Sequence, residues 1–557
     1  MMQKLNNLVT ELLNLEEVPS GTEARFVNPR EGWVFIRGGD KVVLDDAEVP
    51  LAPTGAGTGE AMRFLPAGEH RVRVEGSVEL LIVRAVPELI FCKFQYDPHV
   101  RPHGPYDWAF LQKHVLDHVN CIVGDGSEPQ RPMVEAWKRQ GKRWLVECLL
   151  PGLRQEEPVT ADEAYTVWTQ NVGLRDPLID GIIVDEFLGG KRGNDPKYYV
   201  WMEAMQRIRA NEALRGKHFY PYCNALYGAE PSEAFIRATM AAGYRFAWEQ
   251  YLKEPPTEEA AREQLAALTE RTRGWLKAFP GCAGHMVMCL GYMSVPPESV
   301  NADPKVDYKV WMDAQFHHLA NDPAFEGLYG LMEYTCGYAD EETVRWAARL
   351  YRHYGIEGQT EMLSPRLGFQ YRLEHVDNPD FEEGTKGWAV RAAEEGGVEA
   401  GMKEGWSWLQ GRYPRTTQGD TFLKMRRSSR GPNAFSQEIK HLRPGRLYSL
   451  KMFTADHRAI SEGRSKEQRY AVSIQVEGAE RVSEKSFQHV MHNCYSHSLG
   501  PFNAQHRAWM NYHFEVFRAK AERARLTVSD WADAAAPGGP AGQELMFNFI
   551  EVQPYLE

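Results

Sequence analysis

The sequence predicts a multidomain fold, in which a central (β/α)8 TIM barrel is flanked by an N-terminal β-sandwich and a C-terminal β jelly roll. Eight short apolar segments alternate with amphipathic segments between residues 88 and 363, and about 270 residues is the usual size of such a barrel. Before and after this part, alternating apolar and polar residues are typical of half-exposed antiparallel strands. One apolar segment, 181–187, ends in two adjacent carboxylates, and barrels carry active-site residues at the carboxyl ends of their strands.

Residues 1–87 are predicted to form a helix followed by a small β-sandwich. The first 17 residues have apolar side chains at helical spacing, which predicts one apolar helix face formed by Leu5, Leu8, Val9, Leu12 and Leu13. This segment lacks the continuous apolar core of a signal peptide. Further along, the runs 32–37, 41–44 and 70–75 alternate in polarity and are predicted as strands.

The barrel is predicted over residues 88–363. Its strands are predicted at 89–96, 120–123, 143–150, 181–187, 218–224, 244–249, 285–292 and 328–334. Outer helices, in which apolar residues recur every three or four positions, are predicted at 106–119, 161–172, 197–214, 232–242, 258–279, 308–319 and 341–354. The count of eight favours a closed barrel, and a doubly wound open sheet is the alternative.

Residues 364–557 are predicted to be a β-domain. The segment 376–388 contains Asn-Pro-Asp-Phe-Glu and ends in Gly-Trp, and it resembles the opening strand of jelly-roll carbohydrate-binding modules of xylanase-type enzymes. The segment 544–552 is similar to the last strand of the same modules. This resemblance covers about a third of the chain and implies a sandwich fold and, less directly, sugar binding.

Composition excludes several classes of partner. The formal charge of −12 does not fit a nucleic-acid-binding surface. No apolar run is long enough to predict a membrane span. The 15 Trp, 24 Tyr and 24 Phe are plentiful enough to supply flat platforms for sugar rings as well as a core. The resemblance to carbohydrate-binding modules implies an oligo- or polysaccharide ligand, and the oligomeric state is left open.

No cofactor and no metal are expected. His489, His492, Cys494 and His497 are close in sequence, but their spacing matches no familiar zinc pattern. The other cysteines fall mostly in predicted barrel strands and are expected to be reduced and buried. The compartment is left open between extracellular or periplasmic, if a leader was removed, and cytoplasmic.

Cleavage of a glycosidic bond requires two carboxyl groups that flank the bond, so they must come from different strands. Glu186 ends the fourth predicted strand with the longer side chain and is the expected proton donor. Asp185, Glu249 or Glu333 is the expected partner, because each lies at the end of a predicted strand. Glu147 is set aside because it lies in the middle of the predicted third strand.

Six further residues at or near the predicted strand ends are candidate substrate contacts. Aromatic rings could stack on a sugar, and carboxylates and amides could bind its hydroxyl groups. The candidates are Tyr96, Asp97, Asp125, Asn224, Trp248 and Tyr292.

The fourth strand resembles those of several sugar-cleaving barrel families. Asp180, Gly181 and Asp185 match the chitinase-like motif Asp-Gly-x-Asp-x-Asp-x-Glu, but Ile183 and Phe187 replace its other two acids. The α-galactosidase-like layout, with acids on strands four and six, would correspond to Asp185 and Glu249. The cellulase-like clan would use Glu186, but the predicted seventh strand supplies no partner. The resemblance is therefore to the barrel glycoside hydrolase superfamily and to no single family.

The sequence thus predicts a glycoside hydrolase that acts on an oligo- or polysaccharide by paired-carboxylate acid/base catalysis. The alternative is a catalytically inactive carbohydrate-binding protein on the same scaffold, since a fold does not fix its function. Sugar, linkage and stereochemical outcome are left open.

Overall fold

The computed structural model describes residues 2–53, 59–92, 97–153, 159–503, 505–533 and 535–557. Antiparallel sheets precede and follow a closed parallel barrel, which confirms the predicted fold class. Among the described residues, no helix combines the length and apolar character that a membrane crossing requires. The predicted domain boundaries at 87/88 and 363/364 stay predictions.

The N-terminal strands form two sheets around a shared apolar core. The six-stranded sheet has the order β1-β2-β10-β4-β8-β7, and the four-stranded sheet has the order β3-β9-β5-β6. Val34, Ile36, Val72 and Val83 are fully buried between them. The strands are β1 Gln3–Lys4, β2 Thr10–Val18, β3 Glu23–Asn28, β4 Gly32–Gly38, β5 Lys41–Leu44, β6 Ala47–Pro50, β7 Ala52–Pro53, β8 Gly59–Leu65, β9 Gly68–Val74 and β10 Val78–Val86.

The predicted N-terminal helix is wrong. Residues 10–18 form strand β2, which pairs antiparallel with β10 in a register that places Leu13 opposite Val83. The backbone hydrogen bonds of this pairing and the burial of Leu12 outweigh the local helical spacing of the leucines. Tertiary pairing, which is not visible in a single segment, decides the conformation here.

The eight barrel strands pair in chain order, each parallel to the next, and the last closes on the first. They are β11 Glu88–Cys92, β12 Cys121–Gly124, β13 Arg143–Cys148, β14 Gly181–Phe187, β15 His218–Cys223, β16 Phe246–Gln250, β17 Met286–Gly291 and β18 Gly330–Tyr334. The helices are α1 Trp108–His114, α2 Arg131–Arg139, α3 Ala161–Gln170, α4 Val172–Arg175, α5 Lys197–Ala210, α6 Glu230–Ala241, α7 Glu258–Ala278, α8 Tyr308–Asn321 and α9 Glu341–Leu350.

Side-chain alternation divides each barrel strand into an inner and an outer set. The inner set forms its own apolar cluster, which includes Ile90, Leu145, Ile183, Ala247 and Met332. The intervening residues pack outward against the helices in a separate and larger cluster. The alternation determines which acids face the interior of the barrel, and in β14 it holds as far as Asp185, where the strand becomes irregular.

The amino-terminal end of the barrel is closed by a buried ion pair. The Arg143 guanidinium pairs with the Glu88 carboxylate and donates a hydrogen bond of 3.0 Å to the Tyr220 hydroxyl. Trp33, from the N-terminal sheet, donates its indole N–H to Glu88 at 3.2 Å. The N-terminal sheet therefore covers this end, and the mouth of the barrel is at the carboxyl ends of the strands.

The C-terminal strands form a second sandwich. One sheet has the order β19-β22-β28-β24, and the other has the order β20-β21-β29-β23-β27-β25, with β26 also paired to β27. The strands are β19 Ala389–Arg391, β20 Val398–Met402, β21 Thr421–Arg426, β22 Ala434–Ile439, β23 Leu447–Asp456, β24 Ser473–Glu477, β25 Ala479–Arg481, β26 Phe487–His492, β27 Trp509–Ala519, β28 Ala524–Ser529 and β29 Glu544–Pro554, and the helices are α10 Trp406–Leu409 and α11 His457–Ser461.

A buried ionic cluster joins the barrel to this second sandwich. The Lys451 ammonium on β23 lies 3.1 Å from the carboxylate of Asp340 and 3.2 Å from that of Glu551 on β29. Asp340 is the N-cap of barrel helix α9 and accepts a hydrogen bond from the Thr343 backbone N–H. All three ionic side chains are almost completely buried, so the C-terminal sandwich is fixed against the barrel.

Candidate active site

Three carboxylates face the interior of the barrel at its mouth. Glu147 has the alternation of Leu145 on β13, Asp185 that of Ile183 on β14, and Glu249 that of Ala247 on β16. β13 and β14 are adjacent, and β16 is two strands further round the barrel. The three acids therefore converge from distant parts of the chain on one opening.

Burial and mutual repulsion raise the pKa of two of these acids. The pKa of Glu147 is raised to about 7, first by burial and then by the neighbouring negative charge of Asp185. The pKa of Glu249 is also raised to about 7, by burial and then by Asp185, Glu186 and Glu298. Asp185 is thus the carboxylate whose charge acts on both of its neighbours.

Three tyrosines line the same opening. The Tyr251 hydroxyl donates a hydrogen bond to the Glu249 carboxylate, which partly offsets the rise in its pKa. The Tyr222 hydroxyl is hydrogen-bonded to that of Tyr251. The ring of Tyr334 stacks on both of the others, with centroids 6.0 Å and 5.4 Å apart. Glu249 is therefore positioned by a hydrogen-bonded pair of tyrosines, and Tyr334 packs beside them.

Glu186 lies beside this group and not in its centre. Its φ of 71° is in the left-handed region, where a residue with a side chain is strained, and the register between β14 and β15 is irregular at this point. Its charge contributes to the raised pKa values of Glu249 and Tyr495. The bend separates Glu186 from the regular alternation of β14, and its charge acts on the barrel acid Glu249 and on Tyr495 of the C-terminal sandwich.

Glu333 is not brought to the mouth. It follows Met332, which is in the inner cluster, and therefore points to the outer face of β18. Its side chain is buried, and burial raises its pKa well above the ordinary value. Its charge contributes to the raised pKa of Tyr308 and of Tyr351, which lie in the layer of helices outside the barrel. Strand alternation therefore separates Glu333 from the three inward-facing acids, Glu147, Asp185 and Glu249.

Trp248 and Tyr292 are also on the outer side of the barrel wall. Trp248 is 0% exposed and packs on Trp275 of α7, with ring centroids 5.7 Å apart. Tyr292 is 1% exposed, and its hydroxyl donates to the Cys92 carbonyl at 3.3 Å. Neither ring presents a face to the mouth, so the structure gives both a packing role in place of the predicted substrate contact.

The remaining predicted contacts differ in position. Asp125 accepts hydrogen bonds from the backbone N–H and the hydroxyl of Ser127, at 2.8 Å and 2.6 Å, as a turn residue does. Asn224 accepts from the backbone N–H of Gly189 and so joins the loops after β14 and β15. Asp97 is exposed, and Tyr96 lies outside the described residues.

Two acids at this end of the barrel were missed by sequence reasoning. Glu147 is the penultimate residue of β13, which ends at Cys148, and strand alternation alone would have placed it beside Asp185. Glu298 lies seven positions after the end of β17, on a loop that brings its charge near Glu249. No local pattern marks the path of that loop.

The described residues contain no group of three or more His, Cys, Asp or Glu side chains that could hold a metal ion.

Comparison with known proteins gives structural similarity without a family. No family model and no curated protein matches the chain. A Cordyceps militaris endo-β-N-acetylglucosaminidase is 9% identical, with 48% of this chain and 90% of that chain covered and a TM-score of 0.33. A Rhizomucor miehei chitinase is 13% identical, with 47% and 99% covered and a TM-score of 0.33.

A sugar-binding structure is similar to a smaller part of the chain. TmCBM61 in complex with β-1,4-galactotriose is 15% identical, with 32% of this chain and 97% of that chain covered and a TM-score of 0.18. Identities and scores this low transfer no activity. The function is therefore inferred from the geometry and charge of the barrel mouth.

Proposed function

We propose that the protein is a glycoside hydrolase that cleaves an oligo- or polysaccharide at the mouth of the barrel. The observation that carries this proposal is the convergence of Glu147, Asp185 and Glu249 among tyrosines. Glycoside hydrolysis needs one carboxyl that carries a proton near neutral pH and one carboxylate that bears charge. The pKa of about 7 at Glu249 and the negative charge of Asp185 supply this pair.

In this proposal Glu249 protonates the leaving oxygen, and Asp185 stabilises the positive charge that develops on the sugar or attacks its anomeric carbon. Tyr251 holds the Glu249 carboxyl through its hydrogen bond. Glu147, whose pKa is raised to about 7 by burial and then by the charge of Asp185, is the third acid of the site. Retention or inversion follows from the separation of the two acting carboxyls, about 5 Å or 6.5–9.5 Å.

The choice of proton donor is tested by comparing Glu249→Gln with Glu186→Gln. Glu249→Gln should lower kcat by roughly 10²–10⁴-fold, because glutamine cannot give a proton to the leaving oxygen. Glu186→Gln should have a much smaller effect, since Glu186 is not one of the three inward-facing acids and its charge acts on Glu249 less than that of Asp185 does. Hydrolysis is measured on aryl glycosides and on oligosaccharides of plant, algal and animal type. The reverse ranking would restore Glu186 as the donor, the expectation from sequence.

Activity should also depend on pH in a defined direction. Glu249 must be protonated to act as the acid, and its pKa is raised to about 7. We therefore expect kcat/KM to fall as the pH rises through about 7. A profile that stays flat to pH 9 would contradict this role. Binding of oligosaccharides with no hydrolysis at any pH would favour the inactive sugar-binding alternative.

A further inference from the structure

Two loops of the C-terminal sandwich reach the barrel mouth. They are residues 406–418, which include helix α10, and residues 493–499, which follow β26. The first pairs with the loop after β17, because Ser299 N–H donates to the Gly411 carbonyl at 2.6 Å and Tyr413 N–H donates to the Ser299 carbonyl at 2.8 Å. The second is tied to the same loop by Asn493, which donates to the Pro297 carbonyl at 2.8 Å.

The backbones of the two loops approach each other closely at these contacts. Gly411 has a φ of 84°, and a Cβ at this position would lie 2.8 Å from the Pro297 carbonyl oxygen. The neighbouring Arg412 forms a two-fold ion pair with Asp380, at 2.6 Å and 2.7 Å, and both side chains are almost fully buried. The loops are therefore held in one position relative to the barrel.

The loops carry half-buried aromatic side chains to the acids of the site. The hydroxyl of Tyr413 lies within the electrostatic influence of Glu298 and Glu249. That of Tyr495 lies within the influence of Glu298 and Glu186.

Ring contacts connect the barrel interior with these loops. Tyr334 meets Tyr338 edge to face, with centroids 5.9 Å apart. The Tyr338 hydroxyl donates a hydrogen bond to that of Tyr495, and Tyr495 stacks loosely on Trp408 at 6.4 Å. We call Tyr334, Tyr338, Tyr495 and Trp408 the aromatic track. It runs from the carboxylates outward onto the C-terminal sandwich.

We infer that the aromatic track is a binding site for a carbohydrate chain of at least two sugar units, so that the C-terminal sandwich forms part of the catalytic site. A single sugar ring cannot cover four rings separated by these steps, whereas successive units of one chain can contact successive rings. This inference rests on the proposed function for the identity of the ligand, and it goes further by assigning specificity for chain length to Tyr495 and Trp408.

The test measures affinity and turnover for Tyr495→Ala and Trp408→Ala. The probes are chito-, cello-, xylo-, manno- and β-1,4-galacto-oligosaccharides of two to six units, together with the corresponding aryl monosaccharides. Tyr199→Ala is the matched control, since Tyr199 is a tyrosine 42% exposed on the outer helix α5. Tyr495→Phe keeps the ring and removes the hydroxyl, and it guards against a loss caused by misfolding.

We expect Tyr495→Ala and Trp408→Ala to weaken binding of the longer chains by about tenfold, as the loss of a stacked ring would. The loss should grow with chain length, Tyr495→Phe should retain most of the affinity, and Tyr199→Ala should match the wild type. Unchanged binding of all lengths in both alanine variants would overturn the inference, while hydrolysis by the wild type would leave the proposed function intact.

A protein that binds oligosaccharides without cleaving them would also distinguish the aromatic track from the proposed hydrolase. Loss of oligosaccharide binding in both alanine variants of a protein that hydrolyses nothing would support the aromatic track and overturn the proposed hydrolase. A wild type that binds none of these oligosaccharides would overturn both.

Discussion

Replacement of Asp185 by asparagine is expected to reduce hydrolysis by roughly 10²–10⁴-fold, with little effect on folding. Asp185 supplies the negative charge that both Glu147 and Glu249 experience, and its alternation on β14 points it into the barrel. Asparagine has the same shape but can neither stabilise a positively charged sugar by full charge nor attack it. The rate is measured on whichever oligosaccharide the wild type cleaves fastest.

The same substitution should change the two neighbouring acids. Because the charge of Asp185 raises the pKa of Glu147 and of Glu249, its removal should lower both values from about 7 toward the ordinary value of glutamate. Carboxyl carbon signals in NMR report these titrations in the inactive variant. Unchanged titration of both acids would contradict the proposed arrangement of the mouth, whatever the effect on rate.

Glu333→Gln is the control for the position of the acid. Glu333 is the penultimate residue of a barrel strand, but it points outward, and the Oε2 atom of its buried carboxyl has no hydrogen-bond partner among the described residues. Burial raises the pKa of Glu333, so its neutral form, which glutamine imitates in shape and charge, is favoured. We expect near-normal turnover. A loss of turnover as large as that of Asp185→Asn would contradict the outward orientation of Glu333.

The sequence predicts the barrel well because its signal repeats. Each strand is a short apolar run, each helix has its own apolar face, and eight such units leave little choice of fold. The N-terminal helix prediction fails because the leucines of residues 5–13 have a spacing that is compatible with a helix. Their strand partner, β10, lies about 70 residues further along the chain, so the local pattern does not reveal the pairing. Local pattern decides only where distant partners do not compete.

The site is predictable in part for the same reason. Alternation from Ile183 identifies Asp185, and the same count from Leu145 would have identified Glu147. Applied to Ala247 and Met332, it would have excluded Trp248 and Glu333. By contrast, Glu298 reaches the site through the path of a loop, which depends on contacts with the C-terminal sandwich and leaves no signal in neighbouring residues.

Lys451→Met is expected to destabilise the protein by about 3–5 kcal/mol, because it removes the nearest cation from two buried carboxylates. Lys451 lies between Asp340 and Glu551, and the three side chains are at most 3% exposed. Burial alone would raise the pKa of Asp340, but Lys451, His103 and the hydrogen bonds from Thr343 hold it below its ordinary value. Urea denaturation, followed by tryptophan fluorescence, measures the loss.

A surface pair provides the matched control for Lys451. Lys440 lies 2.5 Å from Asp377, with side chains 36% and 57% exposed, so Lys440→Met should cost less than about 1 kcal/mol. Because the pKa of Asp340 is lowered in the folded state, its stabilising contribution is complete above about pH 4 and is lost as the pH falls further. This acid-dependent loss of stability should be smaller in Lys451→Met and unchanged in Lys440→Met.

Equal destabilisation by both substitutions would mean that the buried cluster does not hold the C-terminal sandwich against the barrel. The aromatic track would then lose the fixed geometry on which it depends.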